Sequence, residues 1–127
     1  MNHNASEFYR RWPTAMSAMK ALPGGAEIGK AFAPFFQTIM KDTSGEGGLD
    51  AKHKELIALA VGIAARCDAC IYTHVEKCLK NGATAREIMD SAGVAAMMGG
   101  GPVYTYATVV AAALEHCQGR SGSPATE

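Results

Sequence analysis

The stretch from Leu56 to Ala65 constrains the fold more than any other in the chain. Read as a helix, it carries Leu56, Ile57, Leu59, Ala60, Val61, Ile63 and Ala64 around most of its circumference. A helix that apolar is expected to be buried among other elements. It is about ten residues long, half of the roughly 20 that a membrane span needs. The expectation is therefore a central core helix in a chain that does not cross a membrane.

The rest of the sequence reads as helices, with no convincing strand. Pro13 is placed to open a first helix running to Leu22, which Pro23-Gly24-Gly25 stops. A second helical stretch runs from about Glu27 to Lys41, with Pro34 inside it, so a kink or a split is expected there. Thr43 to Gly48 is a glycine-rich loop. Asp50 is a good N-cap for the core helix, which reaches about Ala65. A break at Arg66-Cys67-Asp68 precedes a helix to Lys80, ended by Asn81-Gly82. Thr84 and Glu87 have capping-box spacing for the next helix. After Gly99-Gly100-Gly101, Pro102 starts a last helix to about His116. The fold class is all-α: a single-domain bundle of six or seven helices over residues 1–118, with 119–127 as a disordered polar tail. The 127 residues suffice to bury a core without cross-links.

Twelve basic and twelve acidic side chains balance, so no electrostatic footprint for nucleic acid or an anionic membrane is expected. Met1–Trp12 carries His3, Glu7, Arg10 and Arg11 and no apolar run, unlike a signal peptide. A cytoplasmic location follows as an expectation. In that reducing compartment four cysteines point to catalysis or metal binding rather than to structural disulfides.

The chemistry concentrates in Cys67-Asp68-Ala69-Cys70-Ile71-Tyr72-Thr73-His74. Residues three apart share a helix face, so the two sulfurs can meet. A helix start offers free N–H groups and partial positive charge, which favour a thiolate. His74, one turn after Cys70, is a proton acceptor suited to neutral pH. Three readings stand side by side: a reactive dithiol, two buried cysteines beside a core histidine, and a metal site. Cys67, Cys70, His74 and Cys78 do fall on one stripe, but Cys67 and Cys78 lie about 16 Å apart along the axis. One straight helix cannot bring that set to a tetrahedral zinc. A second segment would have to supply His3, His53, His116 or Cys117. Neither a metal nor a cofactor is expected, and Cys78 reads as a core or interface residue.

Leu49-Asp50-Ala51-Lys52, Lys54-Glu55-Leu56-Ile57-Ala58-Leu59-Ala60, the Cys67-x-x-Cys70-x-x-x-His74 motif and Gly-Ala-Thr at 82–84 resemble the alkylhydroperoxidase D-like group of the carboxymuconolactone decarboxylase family. The resemblance covers about residues 49–114. It implies an all-α fold assembling as homo-trimers or homo-hexamers. It implies a cysteine-dependent peroxidase or disulfide reductase, with Cys70 attacking the peroxide, Cys67 exchanging with an external dithiol reductant, and Glu55 and His74 relaying protons. Composition alone reads Glu55 as one more solvated helix glutamate. The sequence departs from the group's best-known peroxidases at Ala69, where they carry a histidine, so the implied relay is shorter. The alternative function is a redox-sensing or assembly module that uses the same dithiol.

Overall fold

The computed structural model describes residues 4–119. The expected tail beyond Gly119, and His3, lie outside the described residues. Seven α-helices follow one another: α1 (Ala5–Ala21), α2 (Gly25–Met40), α3 (Ala51–Ala64), α4 (Asp68–Lys80), α5 (Ala85–Gly99), α6 (Gly101–Tyr106) and α7 (Thr108–Cys117). A short 3-10 turn at Ser44–Glu46 lies between α2 and α3. There is no strand among the described residues, and no helix among them is long and apolar enough to cross a membrane.

The helix starts follow local chemistry. The Asp50 carboxylate accepts the His53 N–H at 2.7 Å. The capping box at α5 is complete: Thr84 Oγ1 accepts the Glu87 N–H at 3.1 Å, and Glu87 accepts the Thr84 N–H at 2.9 Å. Each cap satisfies an orphan donor and is worth about 1 kcal/mol.

Three boundaries differ from expectation. The first helix starts at Ala5, with Pro13 inside it, because Asn4 caps it by accepting the Glu7 N–H at 3.0 Å. Its early turns are held by packing: the Tyr9 hydroxyl donates to the Tyr72 carbonyl, and Phe8 lies 4.8 Å from Tyr72 between ring centroids. The second helix runs unbroken through Pro34. Pro34 and Lys30 are exposed, and a carbonyl freed on an exposed face is hydrated. The last helix is two helices, α6 and α7, parted at Ala107. There the Thr108 hydroxyl donates to the Thr105 carbonyl at 2.9 Å, a local bond that competes with the helical ladder.

The core sits among α3, α4, α5 and α7, where Leu59, Ile63, Ile71, Val75, Ile88, Val109 and Val110 are fully buried. Each such side chain contributes about 1.5–3 kcal/mol. Polar ties fix the neighbours of α3. Ser91 donates to the Leu56 carbonyl at 2.7 Å, Lys52 pairs with Glu87 at 2.8 Å, and Lys54 donates to the Ile39 and Lys41 carbonyls that end α2. The core helix is nevertheless not buried all round in the single chain: Ile57 and Val61 face solvent.

The α3–α4 connection is the tightest feature. Arg66 takes the left-handed conformation at φ 54°. The Arg66 N–H bonds the Ile63 carbonyl and the Cys67 N–H bonds the Gly62 carbonyl, both at 3.0 Å. That pair of bonds is a Schellman ending, built on an arginine where glycine is usual. Cys67 closes α3 and caps α4 at once. Gly62 faces Cys70 closely: a Cβ on Gly62 would lie 3.0 Å from the Cys70 Cβ. Gly62→Ala gains up to about 1 kcal/mol of helix propensity but overpacks the α3–α4 seam by about 1–3 kcal/mol. We expect a net loss of roughly 1 kcal/mol in denaturant unfolding, and an increase in stability would refute the close contact.

Candidate functional site

The site forms where the end of α3 meets the start of α4. Glu55, Leu59, Gly62 and Ile63 are the buried residues of α3, all on the side facing the core. Their spacing repeats every three to four residues and so lies on one helix face. α4 answers with Cys70 opposite Gly62 and His74 opposite Glu55.

Cys67 and Cys70 are joined as a disulfide, with Cα atoms 5.3 Å apart. Cys67 is the N-cap of α4, and its Sγ accepts the Cys70 N–H at 3.2 Å. A sulfur in that place receives a backbone donor and the positive end of the helix dipole, the environment that favours a thiolate. Both cysteines are half-buried. The α4 start is also tethered from α6, because the Tyr106 hydroxyl donates to the Asp68 carboxylate. That bond, with partial burial, pushes the Tyr106 hydroxyl up to about 12.

One turn beyond Cys70, His74 Nδ1 and Glu55 Oε2 are 2.6 Å apart. Both side chains are largely enclosed, at 13% and 8% exposure. A carboxylate is seldom buried without a partner; here the imidazole is the partner, and the bond leaves the other ring nitrogen to exchange protons. The ring of Phe36, on α2, lies 6.5 Å from the His74 ring between centroids. The structure thus brings together all four residues singled out in the sequence: Cys67 and Cys70 as a bonded pair, His74 and Glu55 as a buried pair on facing helices.

Cys78, at the far end of the stripe, is a core residue with no exposed surface. Burial, with the nearby Glu55 charge, pushes its thiol from an ordinary value near 9 up to about 12. Burial also raises the Cys117 thiol, which lies 3.6 Å from the Tyr9 hydroxyl. Among the described residues no group of three or more His, Cys, Asp or Glu could hold a metal ion. Tyr106 was not legible as a site residue. It is 38 positions from Asp68, and no local signal marks such a pair.

Together these features define a class: an all-helical protein with a Cys-x-x-Cys pair at a helix start, near a buried carboxylate–imidazole pair. The profile of the carboxymuconolactone decarboxylase family matches residues 26–117. The chain belongs to that family. It is 35% identical over 108 residues to uncharacterized protein 4 in the cox locus of Paracoccus denitrificans, an alignment spanning 84% of this chain and 94% of that protein. The crystal structure of a carboxymuconolactone decarboxylase family protein from Legionella pneumophila, in its apo form, superposes with a TM-score of 0.75 at 32% identity. That superposition covers 94% of this chain and 99% of the other. A structure from Thermotoga maritima superposes with a TM-score of 0.64 at 28% identity, covering 77% and 85% of the two chains.

The Cys78 thiol gives a prediction with a definite sign. Its folded value lies above its unfolded one. The stability linked to the neutral thiol is complete below about pH 9 and is lost as the pH climbs toward about 12. Urea unfolding across that window should show a shallower alkaline decline for Cys78→Ala than for the wild type. Parallel declines would refute this account.

Proposed function

We propose that this chain is a thiol-dependent oxidoreductase of the alkylhydroperoxidase D type, reducing a peroxide or a disulfide through Cys67 and Cys70. The observation that carries this reading is the dithiol at the α4 start, one turn from the buried Glu55–His74 pair. A buried proton acceptor near a cysteine pair is what thiol chemistry calls for.

The cycle is written from the oxidised couple. A thiolate of an external dithiol attacks the Cys67 sulfur, the Cys67–Cys70 bond breaks, and Cys70 leaves as a thiolate. The second thiol of the donor then displaces Cys67 and closes the donor's own disulfide. Two electrons and two protons have entered the protein. The Cys70 thiolate attacks a peroxide oxygen, the O–O bond breaks, and the departing alkoxide takes up a proton to become an alcohol. Cys70 is left as a sulfenic acid. Cys67 attacks that sulfur, hydroxide departs with a proton as water, and the disulfide re-forms. In this reading His74 and Glu55 supply and remove the protons, and Ala69 leaves them as a short relay. No cofactor beyond the dithiol donor is required.

The working form in this reading is a homo-trimer or homo-hexamer in the cytoplasm. Apolar side chains that a lone chain leaves in water support the assembly. Ile28, Phe35 and Ile39 on α2, Ile57 and Val61 on α3, and Met97 and Met98 on α5 are all more than half exposed. Soluble monomers rarely leave that many large apolar groups uncovered. Sedimentation should report an oligomer, and a monomer at all concentrations would refute the assembly.

Peroxide consumption with a panel of dithiol donors tests the chemistry. Cys67→Ser and Cys70→Ser should each fall to background. Glu55→Gln, which keeps the shape and an acceptor oxygen but cannot take the proton, should lose roughly 10²-fold or more in turnover. Cysteine variants that cycle like wild type would refute the enzyme. Oxidation that proceeds once and never cycles with any donor would leave a sensor in its place.

A further inference from the structure

An apolar groove lies between α1 and α2, with Lys77 of α4 on its lining and Phe36 of its wall 6.5 Å from the His74 ring. The groove is open to solvent and offers about 670 Å³, within the roughly 300–1,000 Å³ range of small-molecule sites. Its walls are apolar: Trp12 and Met16 from α1, Phe32 and Phe36 from α2. The charged groups that line it are Lys20, Lys30 and Lys77, with no acid among the lining residues. In a chain with equal numbers of acids and bases, three cations and no anion around one apolar groove is a pronounced local bias.

The groove also has a direction. At one end Gly29 lines the wall beside Lys30, and the Lys20 stem reaches across to it, with Cε 3.8 Å from where a Gly29 Cβ would sit. Lys20 and Lys30 thus both line the groove beside a residue without a side chain. The α2 residues from Gly29 to Phe36 then run roughly 10 Å along the groove at 1.5 Å per residue. At the far end Lys77 Nζ already sits over the Phe36 ring, 4.4 Å from its centroid.

We infer that this groove binds an amphipathic monocarboxylate, such as a free medium-chain fatty acid. The carboxylate lies at Lys20 and Lys30, and the aliphatic tail lies against Met16, Phe32, Phe36 and Trp12. Two ammonium groups match one carboxylate by charge and by charge-assisted hydrogen bonds. The apolar walls match the chain, each buried methylene contributing about 0.8 kcal/mol. The site rests on the groove and its lysines, and it stands whether or not the dithiol is an enzyme's.

Trp12 provides the readout, since it is the only tryptophan in the sequence and lines the groove. The full-length protein is titrated with sodium dodecanoate below its micelle concentration, following Trp12 emission. Dodecanol and dodecyltrimethylammonium serve as neutral and cationic probes of equal chain length. The expected result is a saturable change at one dodecanoate per chain, with clearly weaker response to the other two. A Lys20→Gln/Lys30→Gln variant should bind dodecanoate about tenfold more weakly. The variant changes two exposed side chains, and its circular dichroism and Tm report that it folds. No saturable change, equal binding of all three probes, or wild-type affinity in the double variant would each overturn the site. So would emission that shifts with protein concentration in parallel with sedimentation, because a second copy of the chain would then occupy the groove. Binding to phosphatidylglycerol vesicles without binding to free dodecanoate would also overturn it.

Discussion

The contact between Glu55 and His74 can exist only if α3 and α4 face each other in one register. A carboxylate and an imidazole enclosed to this degree must find each other or lose their hydration uncompensated, at heavy cost. At 2.6 Å the contact leaves no slack, and the packing around it is set accordingly. Gly62 brings the α4 start close enough for Cys70 to lie against α3. Leu59 and Ile63 fill the seam between. The remaining helices cover this pair: α5 is tied to α3 through Ser91 and Glu87, and α1 to α4 through Tyr9. The chemistry of the dithiol and the architecture of the bundle therefore share one joint.

Local signals carried most of the fold. Asp50, Thr84 with Glu87, and Asn81-Gly82 mark their boundaries because caps and left-handed turns are decided within a few residues. The Pro13 signal misled: that proline lies inside α1, where packing of Phe8 and Tyr9 against Tyr72 outweighs the bond that a proline removes. Pro34 lies inside its helix as read, without the split that was one of its two expected outcomes. The split at Ala107 was hidden for a similar reason, since it depends on a threonine side chain bonding the backbone. The site was half legible. The spacing of Cys67, Cys70 and His74 places them on one helix, which is a local inference. Glu55 comes from the neighbouring helix, and its burial follows from how helices pair. Only the resemblance to a known family drew it in. The hydroxyl of Tyr106, reaching Asp68 from α6, left no trace in the sequence at all.

The apolar circumference of α3 is wider than the core it meets. The sequence reads it as a buried helix, apolar around most of its circumference, and the single chain leaves part of that apolar surface exposed at Ile57 and Val61. Ile57 and Val61 share that exposure with Phe35 of α2 and Met97 and Met98 of α5. An apolar pattern records the surroundings in which a helix works, and those need not all come from its own chain.

Cys67 ends one helix and begins the next, with only Arg66 and Ala65 between it and the last turn of α3. The joint has no spare length. Each residue of an α-helix turns the chain by about 100°, so one residue gained or lost here would swing every side chain of α4 to a different bearing. His74 would leave Glu55, Cys70 would leave Gly62, and Ile71 and Val75 would leave the core together. Loops elsewhere in the chain can lengthen or shorten over evolutionary time, as loops generally do. The interval from Glu55 to His74 is instead a fixed ruler, which is why its spacing carries so much information.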